Sequence, residues 1–506
     1  MRSALIVLVL VHAGCDSSGK TRRGEDALVV LVETEIGDID PRFASSSYDI
    51  KVSRLVFSGL FTADTADLSV EPLLAESISP LDDEGLAWKV TIRDGLAFHD
   101  GAPLTSRDVV YTYRSISDPE IGSRYRSTYS YIESVEQDGR LGVVFRLSEE
   151  NASFLPDLTM PILPAHVLEP HAGRFEDGRV VGSGPFRLVS RDRGRLVLEE
   201  HPASGQSPRR LVFLLVRDDN ARVLRLRGGG ADLAQNNVPV HMLDLFEGRR
   251  DVRVVSCPGA SFTYVGLNTG SPTLADRRVR QALLVAIDRQ AIVEHKLHGR
   301  GRVSTGMLPP MHWAYSADVE RYPYDPAGAR RLLDEAGHPD PPGPDPRMRI
   351  VFKTGASRYR LAVARVIASF WEAIGIEVDL RPFELTTLLA HLDSGAFEAT
   401  MLQIPMVMEP NLYRWFFHSS SIPSGRGSGG ANRWRYRSDE ADGLIEEGVR
   451  VLDVDGRRQV YGRLQAVLAR DLPVLPLWHE DNVAVVSTRL GAYRLLPTAP
   501  FTSLSP

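Results

Sequence analysis

The chain has 506 residues, is 43% hydrophobic and 25% charged, and carries a formal net charge of −6. That length exceeds what one hydrophobic core usually serves, so two lobes are expected. The composition is that of a soluble globular protein. Its mild acidity excludes the basic footprint of nucleic-acid binders and a polybasic membrane surface.

At the N-terminus, Arg2 precedes an apolar run from Ala4 to Val11. The run is too short to span a bilayer and has the length of a signal-peptide core. His12-Ala13-Gly14-Cys15 follows and resembles a bacterial lipobox, with histidine where leucine is usual. The expectation is a leader over 1–15, a lipid anchor on Cys15 and a flexible tether over 16–26. No later apolar run approaches the roughly 18 residues of a transmembrane helix. The other cysteine, Cys257, is expected to be a buried structural thiol.

Past the tether, Ala27–Val32 reads as a compact apolar strand, and Val52, Leu55 and Val56 mark the buried face of a helix. Trp88, Val90 and Ile92 alternate as a half-buried strand does, and Asp94-Gly95 and Asp100-Gly101 are turn dipeptides. Thr105 then caps a helix carrying Val109, Val110 and Tyr113. Strands are expected over Leu141–Leu147, beyond the turn at Gly182–Pro185, and over Leu211–Val216. Gly228–Gly230 lacks the Lys-Ser/Thr of a P-loop, and GSGPF at 182–186 lacks the first glycine of a nucleophile elbow.

Further on, Val279, Ala282, Leu283 and Ile287 predict one helix, and Asp288 caps a second from Arg289. Asp325, Pro326 and Gly337 bracket a third at its cap, first-turn and closing positions. From MRIVFKTG onward the pattern is strand, helix (360–374), strand (IEVDLRP), helix (Thr386–Leu392), strand (Phe397–Leu402). Such a β-α-β-α-β run calls for a largely parallel sheet flanked by helices.

Several strings resemble a known family and fall in its order: PLLAESISPLDDEGLAWKVTIRDGLAFHDGAPLTSRDVVYTYR at 72–114, GSGPFRLVS at 182–190, TYVGLNTGSPTLADRRVRQALLVAIDRQAIVEHKL at 263–297, and DLPVLPLWHEDNVAVVSTRL near the end. They are similar to the extracytoplasmic solute-binding proteins of peptide/nickel ABC importers. The resemblance implies an α/β, two-lobed periplasmic-binding-protein fold, with mixed sheets flanked by helices and a hinge between the lobes. Lobe I would comprise 27–265, with an inserted subdomain at about 60–180, and a return segment at 479–506. Lobe II would comprise 266–478, with chain crossings near Tyr264, Gly266 and Asn268 and within 475–483.

It also implies a monomeric, non-enzymatic receptor that captures peptides in the periplasm and hands them to an ABC permease, with no cofactor and no metal. The alternatives are a non-peptide ligand (metal chelate, opine or oligosaccharide) and a ligand-presenting signalling or chaperone role. Family members fix a peptide's amino terminus with an aspartate in a segment matching 402–423, and here Met406 takes its place. Glu409 is a candidate substitute, and Lys353 or Arg358 a partner for a ligand carboxylate. Tyr413, Trp415, Asn432, Trp434 and Tyr436 are the remaining pocket candidates: Trp434 and Tyr436 alternate and can stack on a ligand while Asn432 hydrogen-bonds it. SGRGSGG at 424–430 is expected at the rim. His99 in the FHDG turn reads as structural, and His312, His418 and His479 as scattered singles.

Overall fold

A computed structural model describes residues 27–176, 178–201, 209–424 and 430–504. The leader, Cys15, the tether and residues 425–429 of the expected rim loop lie outside the described residues.

A 12-stranded mixed sheet runs through the molecule. One half holds Ala27–Val32 parallel to Arg210–Leu215 and to Leu233–Gln235, extended antiparallel by Arg195–Glu200 and Phe186–Asp192. The other half holds Met348–Gly355 between two parallel neighbours, Ile376–Phe383 and Ala399–Ile404, with Phe262–Leu267 antiparallel beyond. The β-α-β-α-β reading is therefore realised in full. Its two middle helices run over Arg358–Glu372 and Leu385–Ser394, so Ile374 lies just past the first and is still buried.

The halves are joined by one strand. Val474–Ser487 pairs at its start with Phe262–Leu267, and at its end with Val252–Pro258 and Leu233–Gln235. A single strand thus belongs to both cores: Leu475 and Leu477 pack with Val265 and Trp371, while Ala484 and Val486 pack with Leu28 and Phe213. The molecule is an α/β protein of two lobes.

Between Leu60 and Val181 a separate four-stranded antiparallel sheet, Ala75–Pro80, Ala87–Ile92, Gly142–Leu147 and Ile132–Asp138, packs under the helix Ser106–Ser117. Thr105 caps that helix in a capping box with Asp108. His99 braces this unit against the turn before Phe186, its Nδ1 accepting from the Gly182 N–H at 3.2 Å and its Nε2 lying 2.9 Å from the Gly184 carbonyl.

The chain leaves the strand Val252–Pro258 and enters Phe262–Leu267, which pairs with the other end of Val474–Ser487, so within the sheet it crosses through Gly259–Ser261; Tyr264 and Gly266 sit inside a strand buried along its whole length. Gly266 signals close packing and not a bend: a Cβ there would meet the Trp434 ring at 1.9 Å. Cys257 is half-buried on the strand leading to the crossing, and burial pushes its thiol up to about 11.

Candidate functional site

The strand directions define a crevice. In the first lobe Ala27–Val32, Arg210–Leu215 and Leu233–Gln235 all run toward the crossing, and so in the second do Met348–Gly355, Ile376–Phe383 and Ala399–Ile404. Ligands of open α/β sheets bind beyond the carboxyl ends of such strands. Both lobes therefore present their binding edges to one crevice with the crossing as its floor.

At that floor the two passages of chain run close together. Ala260 accepts from the Val407 N–H at 2.7 Å, and the Ser261 carbonyl lies 2.7 Å from Nδ1 of His479. A Cβ on Gly259 would meet the Glu480 carbonyl oxygen at 2.4 Å, so only glycine fits without a shift. His479 is held neutral by burial, which lowers its pKa to about 4.

On the first lobe, the loops beyond the strands are stitched by Arg222, which is 2% exposed. It donates to the carbonyls of Val216, Arg217 and Asn237 at 2.8, 2.9 and 2.7 Å, and its guanidinium also pairs with Asp219. Glu33, directly after the first strand, lies 3.6 Å from Arg222 and keeps 44% of its side chain exposed. Burial raises its pKa, with Arg222 opposing. Tyr48 stacks on Phe501 with centroids 6.4 Å apart, and the Lys51 ammonium sits 5.6 Å from that ring. Burial lowers Lys51 to about 8. Sequence reasoning passed over Glu33, Tyr48 and Lys51. Glu33 was findable, since it is the first residue past a strand whose carboxyl end faces the crevice.

On the second lobe, Met406 lies half-buried in the loop after Ala399–Ile404, beside the Val407 N–H that binds the crossing. Among the sequence candidates, it is the one that neighbours this hydrogen bond to Ala260. The others go elsewhere. Trp434 is fully buried, edge-on to Tyr264 at 5.4 Å. Asn432 is fully buried too: its Nδ2 donates to the carbonyls of Phe417, His418 and Tyr436 at 3.1, 3.0 and 2.8 Å, and its Oδ1 accepts from the Tyr436 N–H at 3.1 Å. Every polar atom of its amide is spent on backbone. Tyr436 donates to Asp471 Oδ2 at 2.7 Å, and Tyr413 stacks on Tyr461 at 6.0 Å inside the same core. Trp415 is 44% exposed and edge-on to Phe416.

Lys353 is buried, donates to the Ala396 carbonyl, and lies 5.2 Å from the Phe383 ring. Arg358 begins the helix whose cap, Ser357, accepts from the Arg360 N–H at 3.3 Å. Glu409 is paired with Arg457, a residue 5% exposed. Its charge is therefore already matched within the protein. Among the described residues, no group of three or more His, Cys, Asp or Glu is placed to hold a metal ion.

Comparison with known proteins agrees with this architecture. Residues 69–423 match the model of the bacterial extracellular solute-binding proteins, family 5. The oligopeptide-binding protein AppA of Bacillus subtilis is 28% identical over 98% of this chain and 96% of its own. The solved structure of AppA with a nonapeptide superposes with a TM-score of 0.74, covering 95% of this chain and 98% of that one. Protein XP55 of Streptomyces lividans is 31% identical over 94% of this chain and 87% of its own. HbpA2 of Haemophilus parasuis, at 22% identity, shares the fold with a TM-score of 0.83 over 94% of this chain and 98% of its own. The chain belongs to the bacterial extracellular solute-binding proteins, family 5.

Proposed function

We propose that this protein is the receptor of an ABC importer: it captures peptides outside the cytoplasm by closing two lobes on them and delivers them to a permease. It acts as a monomer held at the membrane by lipid on Cys15, without catalysis. The lobes are 27–258 with the return segment from 479, and 262–478, hinged at Gly259–Ser261 and at His479–Glu480. The shared strand and the crevice at the strands' carboxyl ends support a hinge that ligand affinity biases toward closure. Its likeness to AppA, solved with a nonapeptide, supports peptide as the ligand class.

The observation that carries the specificity is at Met406. A thioether cannot neutralise an ammonium, and the nearby acid, Glu409, is matched to Arg457. A ligand amino terminus therefore has no charge partner at either position. The peptide is held through its backbone, in the manner of an added strand, and its amino group need not be free.

A thermal-shift panel of di-, tri- and longer peptides, free and N-acetylated, tests this. A ligand at a hundred times its Kd adds about 2.7 kcal/mol of stability. The expected result is equal stabilisation by free and acetylated peptides. Stabilisation by free peptides alone would overturn the specificity and make Glu33 the acid to mutate next. Stabilisation only by metal chelates, opines or oligosaccharides would overturn the peptide assignment.

A further inference from the structure

The helix Ser47–Val56 buries Val52, Leu55 and Val56 in the first-lobe core, which leaves Tyr48 and Lys51, three residues apart, together on another face. Hydrogen bonds hold that face at the carboxyl ends of the strands. The Tyr48 hydroxyl accepts from Asn237 Nδ2 at 3.2 Å, and the same Nδ2 donates to the Leu31 carbonyl at 2.9 Å. Leu31 lies near the end of Ala27–Val32 and Asn237 just past Leu233–Gln235, so Tyr48 lies across the edge that opens on the crevice. Phe501, on which Tyr48 stacks, follows Ala499, whose carbonyl accepts from Gln235 at the end of the same strand.

Lys51 is half-buried, and its Nζ still reaches solvent beside the Phe501 ring, 5.6 Å away. Among the described residues Lys51 has no hydrogen bond or ion pair, and Asp64, the acid that acts on it, is already committed: it pairs with Arg54 at 3.4 Å and accepts from the Thr498 and Thr502 hydroxyls at 3.0 and 2.9 Å. Asp64 and Arg54 act on the ammonium with opposite signs, and burial outweighs both. An ammonium drawn partly out of water is costly until an anion meets it. The loop that carries Asp64 goes on to Asp67, whose carbonyl accepts from the Trp313 N–H of the second lobe at 3.2 Å. The unmatched charge therefore stands on the side of the first lobe that the second lobe meets. Lys353, the candidate on the second lobe, is by contrast buried and spent on the Ala396 carbonyl.

We propose that Lys51 is the carboxylate anchor of the first lobe: its ammonium makes charge-assisted hydrogen bonds to a carboxylate of the bound peptide, at the C-terminus or on an acidic side chain. This rests on the peptide reading above and deepens it, since a site indifferent to the ligand's amino group then selects for its anionic group. Closure excludes water from the pair and strengthens it, so a peptide bearing that carboxylate favours the closed arrangement.

The probes are alanine peptides of several lengths, each as free acid and as carboxamide, and the pair Ala-Glu-Ala and Ala-Gln-Ala as carboxamides, titrated by calorimetry into the full mature protein. A preference of about tenfold for the carboxylate form is expected. Free acid over carboxamide assigns the carboxylate to the C-terminus; Ala-Glu-Ala over Ala-Gln-Ala assigns it to a side chain. Lys51→Met, which keeps an apolar stem against Phe501, is expected to bring the two forms to equal affinity, and Lys51→Arg to retain the preference. Equal binding within both pairs, a preference that survives in Lys51→Met, or a loss there shared equally by the two forms overturns the proposal and leaves the peptide reading standing. Failure of every peptide to bind overturns both.

Discussion

Asp157 sits beside the contact between the inserted subdomain and the second lobe, with Tyr131 donating to its Oδ2 at 2.7 Å. Burial raises its pKa to about 7; the Tyr131 hydrogen bond opposes the rise, and Glu409 across the contact adds to it. The unfolded chain ionises this group near pH 4. Its contribution to stability is therefore fully present below about pH 4 and is lost as pH rises through about 7. Asp157→Asn keeps an acceptor for Tyr131 and removes the buried charge. It should stabilise the fold at pH 8 by on the order of a few kcal/mol, read as a higher unfolding temperature, and change it little at pH 4. A gain of the same size at both pH values would show that the carboxyl is not the titrating group. Trp434 carries a second expectation at this scale. Fully buried against Tyr264 and over Gly266, it should cost about 3–5 kcal/mol when cut to alanine, read by urea unfolding, while ligand affinity of the folded fraction holds. The alternation of Trp434 and Tyr436 suggested a stacking platform. The reason it misled is local: Arg435 has φ of 54°, so the segment is not extended there. Both aromatics turn into the core while Arg433 and Arg435 bind Asp393, at 2.7 Å to its Oδ1 and 3.1 Å to its carbonyl.

Elements with strong local signals were readable in advance. Asp325 accepts from the Gly328 N–H at 2.8 Å and Asp288 from the Ala291 N–H at 2.9 Å, as their cap positions demand. The strand Met348–Gly355 has the expected bounds. The crossing was not readable, because a hinge carries no periodicity: Gly259 and Gly266 look alike in a string, and only the packing shows that one faces backbone and the other an indole. Gly259→Ala is the test at this scale. Its methyl would meet the Glu480 carbonyl oxygen, and the passages must part to admit it. The expected cost is about 1–3 kcal/mol, with a smaller ligand-induced compaction in small-angle scattering. Unchanged stability and compaction would show that the crossing has room to spare.

At the scale of the whole molecule, fold class and family were legible because many short motifs fall in one order. The binding site was much less so. The proposed crevice is walled by residues just beyond strand ends of both lobes, such as Glu33 and Met406, hundreds of positions apart, and nothing local in the sequence links them. Met406, the candidate beside the Ala260–Val407 hydrogen bond, came from the resemblance and not from chemistry. The strand Val474–Ser487 has a further consequence, for the order in which the molecule is made. Among the described residues, Val252–Pro258 pairs with no strand except this one. As the chain leaves the ribosome, that segment waits for a partner more than two hundred residues downstream. Such distant pairing is slow to form, and an unpaired apolar edge is exposed to aggregation meanwhile. Neither lobe can complete its sheet early, so the last tenth of the chain acts as the closing stitch for both.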